Sequence, residues 1–262
     1  MTFLLHPTLA ITAKLDDVAL EESRPPRHRK AGDEMMQAQL TTCASLLESP
    51  QLQFEQALED VEASYGDSVT LLCSIYGAPQ AAITWYHRGR VVASYSAPSV
   101  ESAVHTTRIA SGLIETRYTI PCVNRKTIGE YTCQASSPCG EVISSNAIVA
   151  LSNAARGKTC NVTSAAAPTI AVSTVSRLEL VGTPVQLMCR ASGVPKPKVT
   201  WQRITDDDGV EEIDTESHMV LSNGDLLVVA DPWVVTESYR CTARNPNGSA
   251  SADSTVVFVD QN

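Results

Sequence analysis

At 262 residues the chain has room for two domains of about 100 residues each, with tails. Its formal net charge of −9 excludes a nucleic-acid groove, which needs clustered cations. Aromatics make up only 5% of a chain that is 43% hydrophobic, so aliphatic cores around single tryptophans are expected, and eight cysteines, an even number, point to disulfides and an oxidising compartment.

Residues 1–51 carry no strand pattern. Met1 to Leu5 with Thr8-Leu9-Ala10 reads as an export leader in residues 1–13 or, given the interruption at His6-Pro7, as a start without one. Residues 14–50 contain Arg24-Pro25-Pro26-Arg27-His28-Arg29-Lys30, and prolines among charges predict a solvated, disordered tail. The Arg29-Lys30 pair also fits a processing site or a contact to acidic polysaccharide. Met35, Met36, Leu40, Cys43, Leu46 and Leu47 fall near helical spacing, and Pro50 would end such a helix.

From Leu52 the pattern alternates. Val69, Leu71 and Cys73 share one face of a predicted strand, since side chains repeat every two residues. Ile83 and Trp85 point inward from the next strand, and Arg88-Gly89-Arg90 turns into a short strand from Val91 to Tyr95. Residues 96–112 read as a loop with a weak strand. Tyr118 and Ile120 lie on the following strand, Gly129 to Cys133 form a corner and strand, and Val142 to Leu151 close the domain. Residues 152–167 are small and read as a flexible linker. In residues 168–262 the predicted strands are Leu178–Val181, Val185–Cys189, Val199–Trp201, Asp225–Val229, Cys241–Asn245 and residues 250–259. Gly193-Val194-Pro195-Lys196-Pro197 and Asn223-Gly224 are turns between them.

One motif occurs twice. Cys73, Trp85 and Tyr131-Thr132-Cys133 are matched by Cys189, Trp201 and Tyr239-Arg240-Cys241, with a spacing of twelve from cysteine to tryptophan in both copies. In an immunoglobulin-type sandwich the cysteines join strands B and F across the two sheets, the strand-C tryptophan packs on that bond, and the tyrosine turns the E–F corner. The fold class is therefore all-β: two tandem immunoglobulin-like sandwiches, at 52–151 and 168–262.

Four cysteines remain. With the B–C and F–G loops defining the top of a sandwich, Cys139 in the F–G turn and Cys43 before strand A fall at the top. Cys122, ending strand E, and Cys160, following strand G, fall at the bottom. A bridge needs Cα atoms within about 7 Å, so the expected pairs are Cys43–Cys139 and Cys122–Cys160. Free buried thiols are the alternative, and without C-x-x-C spacing a zinc site is a poor reading.

No chemistry is legible. His6, His28, His87, His105 and His218 are dispersed, with no H-E-x-x-H or G-x-S-x-G pattern and no phosphate-cradling glycine loop. Asp206-Asp207-Asp208 and Glu211-Glu212 read as a solvated hairpin tip ahead of a calcium loop. No catalytic residue, metal or other cofactor is expected. Asn161-Val162-Thr163 and Asn247-Gly248-Ser249 are N-glycosylation sequons in a predicted linker and turn. No apolar run reaches the roughly 18 residues needed to cross a bilayer, so a soluble, secreted product is expected.

The motif Gly193-x-Pro-x-Pro, Trp201, Asn223-Gly224-Asp225-Leu226-Leu227, Tyr239-x-Cys241-x-Ala243-x-Asn245-x-x-Gly248 resembles the I-set of immunoglobulin domains. With two such domains and no anchor, the chain is similar to the nematode zwei-Ig proteins and their insect relative, the neural/ectodermal development factor. Two departures stand out. Val235 and Glu237 occupy corner positions usually held by Asp and Gly, and Ser137 and Cys139 lie in a turn that usually reads Asn-x-x-Gly. The resemblance implies recognition of an extracellular protein. Its partner would be an immunoglobulin-family surface receptor, in axon maintenance, or an insulin-like peptide whose signalling is antagonised. It carries over no ligand-binding residue. The C, C′, F and G sheet face of the first domain is the expected contact surface, by fold analogy.

Overall fold

The computed structural model describes residues 51–77, 81–97, 110–137, 140–152, 159–160, 165–229 and 235–260. All regular structure among them is β. The first sandwich contributes β1 (Gln53–Gln56), β2 (Val61–Ala63), β3 (Val69–Gly77), β4 (Ala82–His87), β5 (Arg90–Tyr95), β6 (Ser111–Ile120), β7 (Gly129–Ser136) and β8 (Val142–Leu151). The second contributes β9 (Ala166–Leu180), β10 (Val185–Leu187), β11 (Cys189–Val194), β12 (Lys198–Ile204), β13 (Val210–Glu212), β14 (His218–Val220), β15 (Leu226–Val228), β16 (Thr236–Asn245) and β17 (Gly248–Val259).

The local reasons for these strands are visible in the chain. In β3 the core side takes Leu71, Cys73 and Ile75, all buried, while Thr70 and Tyr76 look out. In β4 Ile83 and Trp85 are fully buried. Arg88 and Gly89 both have positive φ, 50° and 73°, so a two-residue turn of the twist-matching kind joins β4 to β5. In the second sandwich Gly224 has φ 99°, and a Cβ there would lie 2.7 Å from the Cys189 carbonyl oxygen. That turn lets the Gly224 carbonyl accept the Trp201 Nε1 proton at 2.8 Å. Trp85 and Trp201 therefore each bury the ring and satisfy its one donor, as an interior tryptophan must.

The sheets do not divide two by two. One five-stranded sheet, β2-β8-β7-β4-β5, belongs to the first sandwich, and one three-stranded sheet, β10-β15-β14, to the second. The remaining strands form one nine-stranded sheet that crosses both, ordered β1-β3-β6-β9-β17-β16-β12-β13, with β11 also paired to β9. The junction is β6 against β9, antiparallel from Ser111↔Leu178 to Thr116↔Val172. On its other edge β9 pairs first with β11, antiparallel, and then with β17, parallel.

Several expectations change accordingly. Strand β9 begins at Ala166, two residues inside the expected linker. The strand expected at Leu178–Val181 is the tail of this 15-residue strand. The expected strand Val185–Cys189 divides at Met188 into β10 and β11, where pairing passes from β15 to β9. Residues 153–158 and 161–164 of the expected linker, 98–109 of the expected loop, and the possible helix before Pro50 lie outside the described residues.

Candidate recognition surfaces and the interdomain junction

The two sandwiches share a core. Val172 of β9 is fully buried and Met188 is 1% exposed, and both pack in the cluster around Trp85, Ile75 and Ile114 of the first sandwich. Burying one such aliphatic side chain contributes about 1.5–3 kcal/mol. A polar relay runs through the same place. Trp85 Nε1 donates to Thr116 Oγ1 at 2.9 Å, and Thr116 Oγ1 donates to the Ala171 carbonyl at 3.0 Å. Thr116 is fully buried, so both bonds are protected from water. Nearby, the Met188 amide donates to Thr174 Oγ1 at 2.9 Å and Ser254 Oγ donates to the Thr174 carbonyl at 2.6 Å.

The motif cysteines are joined as Cys73–Cys133 and Cys189–Cys241, with Cα atoms 6.7 and 6.5 Å apart. Cys122 is joined to Cys160 with Cα atoms 5.8 Å apart, which ties the chain leaving β8 to the end of β6. No free cysteine occurs among the described residues. Cys43 and Cys139 lie outside them.

The two tyrosine corners differ. Tyr131 is of the expected kind: its hydroxyl donates to the Thr127 carbonyl at 2.7 Å, and His87 stacks on its ring at 4.4 Å. Burial, with Tyr118 beside it and Arg88 opposing, pushes the Tyr131 phenol up to about 12. Tyr239 makes no such backbone bond among the described residues. Its hydroxyl donates to Glu237 Oε2 at 2.5 Å and lies 2.9 Å from His218 Nε2. The physical reason is Glu237 itself, a carboxylate at a position where the I-set has glycine. Burial first, then the Glu237 carboxylate, holds the Tyr239 phenol far above the ordinary tyrosine value. His218 is bonded on its other side to Asp214, 3.0 Å away. The amide and hydroxyl of Ser217 hold the Asp214 carboxyl far below the usual carboxylate range.

The Asn223-Gly224-Asp225 turn is explained by its contacts. Asp225 is fully buried and accepts from Gln186 Nε2, the Cys189 amide, Asn223 Nδ2 and both Nε and Nη2 of Arg190, at 2.5–3.1 Å. It anchors β10, β11 and the turn to one point.

Sequence reasoning named Asp225 only within the resemblance motif, without its buried role, and did not single out Thr116; both are polar residues that would ordinarily be assigned to solvent. Of the candidate glycan acceptors, Asn161 lies outside the described residues. Asn247 is exposed in the two-residue turn between β16 and β17, and its side-chain amide donates to the Val194 carbonyl at 2.7 Å. The acidic residues 206–208 form the turn between β12 and β13, where the Thr205 hydroxyl lowers the Asp207 carboxyl. No group of three or more metal-ligating side chains occurs among the described residues.

The C–C′–F–G face of the first sandwich is formed by β4, β5, β7 and β8. Its outward residues register as Glu130↔Ile148, Thr132↔Asn146 and Gln134↔Ser144, with Tyr86↔Thr132 and Thr84↔Gln134 beside them. Tyr86 donates to Gln134 Oε1 at 3.0 Å. Val91, Val92 and Ile148 are exposed at 58%, 39% and 54%. A tyrosine with exposed aliphatic side chains, and few charges among them beyond Glu130 and Arg90, is the composition of a protein contact surface.

A two-sandwich body with cystine-pinned cores and a shared central sheet is a tandem module of the immunoglobulin superfamily. Accordingly, an immunoglobulin I-set domain model matches residues 52–149 and an immunoglobulin domain model matches residues 167–245. The Caenorhabditis elegans zwei Ig domain protein zig-3 is 32% identical over 213 residues, covering 79% of this chain and 81% of that protein. Zwei Ig domain protein zig-4 of the same organism is 28% identical over 237 residues, covering 89% and 90%. The Drosophila melanogaster neural/ectodermal development factor IMP-L2 is 28% identical over 204 residues, covering 74% and 71%. A crystal structure of that factor shares the fold, with a TM-score of 0.61 at 23% identity over 80% of this chain and 95% of the crystal chain. The chain belongs to the zwei Ig domain family. Like the zwei Ig domain proteins, it is a binding protein and not an enzyme.

Proposed function

We propose that the chain is exported and acts outside the cell in nervous-system maintenance, holding axon position through recognition of an immunoglobulin-family surface protein. The observation that carries this reading is the exposed face of β4, β5, β7 and β8, with Tyr86, Val92 and Ile148 outward on a scaffold stiffened by the shared sheet. Three described disulfides support an oxidising compartment, and no helix among the described residues is long and apolar enough to cross a membrane. Glycans at Asn161 and Asn247 belong to the same reading. The test is a binding screen of the full chain against neuronal immunoglobulin-family ectodomains, repeated with Tyr86→Asp. One specific partner, lost in the variant while the protein stays folded, is expected. An empty screen, or binding indifferent to Tyr86, would contradict it.

The second reading is capture of an insulin-like peptide, antagonising insulin signalling. It is supported by similarity to IMP-L2 along 71% of that protein. A calorimetric titration with insulin-like peptides distinguishes the two: saturable 1:1 binding supports the second reading, and flat heats set it aside.

A further inference from the structure

Four titratable groups stand in line beside the Tyr239 corner, and their contacts outnumber their protons. Glu237 Oε2 lies 2.5 Å from the Tyr239 hydroxyl, that hydroxyl 2.9 Å from His218 Nε2, and His218 Nδ1 3.0 Å from Asp214 Oδ2. Each distance is that of a hydrogen bond, and each bond needs a proton of its own. An ionised carboxylate has none to give, a tyrosine has one and a neutral imidazole has one. Two protons therefore face three contacts. The Ser217 hydroxyl does not make up the difference. It lies 3.1 Å from His218 Nδ1, but its one proton serves the Asp214 carboxylate, whose oxygens are 2.9 and 2.8 Å away. Turned toward His218 instead, it would leave Nδ1 and Asp214 Oδ2 in contact as two acceptors.

Water does not relieve the shortfall. Tyr239 is fully buried, and the side chains of His218 and Glu237 are only 6% and 9% exposed. The surrounding charges favour one proton more. Glu237 faces the line from β16, Asp214 from the segment before β14, and Glu211 and Glu212 from β13. The cation among them is Arg203 of β12, bonded to Glu211 at 2.6 Å and 4.0 Å from Glu237. With Ile213 and Ser217 these side chains line an opening of about 280 Å³, where carboxylates outnumber cations.

We propose that Glu237, Tyr239, His218 and Asp214 together hold three protons in the folded chain, one more than the separate groups carry at neutral pH, and that this proton latches β14 to β16. The Ser217 amide and hydroxyl hold the Asp214 carboxyl far below the usual range, so the added proton is shared among the other three groups, which titrate as a unit. Its mechanical effect falls on β14, a three-residue strand at the edge of its sheet, paired with β15. The His218–Tyr239 bond ties that strand across the core to β16. An unfolded chain gives up an imidazole proton near pH ~6.5. The fold keeps one proton more, so the stability it adds is full below that pH and is lost as the pH rises above it. The latch belongs to the second sandwich and stands whether or not the β4-β5-β7-β8 face is the recognition surface.

The test uses the full chain and two variants that supply the missing proton from a side-chain amide. In Glu237→Gln the new amide donates to the Tyr239 hydroxyl, the hydroxyl to His218 Nε2, and Nδ1–H to Asp214. In Asp214→Asn the new amide donates to Nδ1, Nε2–H to the tyrosine, and the tyrosine to Glu237. Each satisfies all three contacts with a neutral imidazole. Urea denaturation from pH 5.5 to 9 is the first readout. The folding constant of the wild type, divided by that of either variant, should fall with rising pH, by up to about tenfold per unit. Hydrogen exchange at pH 8.5 is the second: the amides of Met219 and Val220 should exchange faster in the wild type than in either variant. A ratio that stays constant with pH for both variants would mean a merely structural contact and overturn the proposal, as would β14 amides equally protected in all three proteins at pH 8.5.

Discussion

Thr116 and Asp225 are buried polar residues on which several elements converge. Removing the Thr116 hydroxyl leaves the Trp85 indole N–H and the Ala171 carbonyl buried without their partner, which costs about 1–3 kcal/mol. Thr116→Val should lower the unfolding free energy measured by urea denaturation by that amount, and Thr116→Ser should recover most of it. Asp225→Ala strips the part-buried Arg190 of its buried carboxylate, and chemical denaturation should report a loss of about 3 kcal/mol. Tyr131 gives a pH signature. Its phenol titrates near 10 in the unfolded chain and at about 12 in the fold, so the folded state holds the proton more tightly. The stability it adds is full below pH 10 and is lost as the pH rises to 12. Denaturation midpoints should fall across that window, and less steeply in Tyr131→Phe. At this scale the sequence was partly readable. The cysteines, tryptophans and Tyr131 announce themselves because their roles fix their spacing. Thr116, Asp225 and the Tyr239–Glu237–His218 contact do not, because a polar residue in a strand looks the same whether it meets solvent or a buried partner.

Among the elements, β9 departs most from expectation, and its sequence shows why. Strands with one wet face alternate, as β3, β4 and β7 do, and these were legible. From Ile170 to Thr174 every residue of β9 is buried, including Ser173 and Thr174, because the strand is covered on both faces where the sandwiches meet. Without alternation no strand was expected over residues 168–177, although they belong to the central strand of the largest sheet. One consequence is testable. Residues 52–151 expressed alone lack Val172 and Met188 from their core and lack the partner of β6; they should be destabilised and bind a hydrophobic dye, whereas the full chain should not. The Cys122–Cys160 bridge acts at the same scale. It closes a loop with a sequence separation of 38, which the chain-entropy model values at about 4 kcal/mol. The double variant Cys122→Ser/Cys160→Ser should lose stability of that order in thermal melts without losing its far-ultraviolet β signal.

For the molecule as a whole, the joined sheet replaces the hinge that two beads on a linker would have. The composition pointed to two cores and to disulfides, but a fusion between domains leaves no mark on composition, charge or motif spacing. It arises from which edge β6 finds free, and that is a property of the assembled fold. A recognition protein built this way presents both sandwiches in one fixed relation, with little interdomain entropy to lose on binding. Native-state hydrogen exchange followed by mass spectrometry tests this most directly. The amides of β6 from Ser111 to Thr116 and of β9 from Val172 to Leu178 should be protected as strongly as those of β7 and β16, and all should open together. Rapid exchange confined to β6 and β9 while both sandwiches stay protected would show two independent domains and contradict the account.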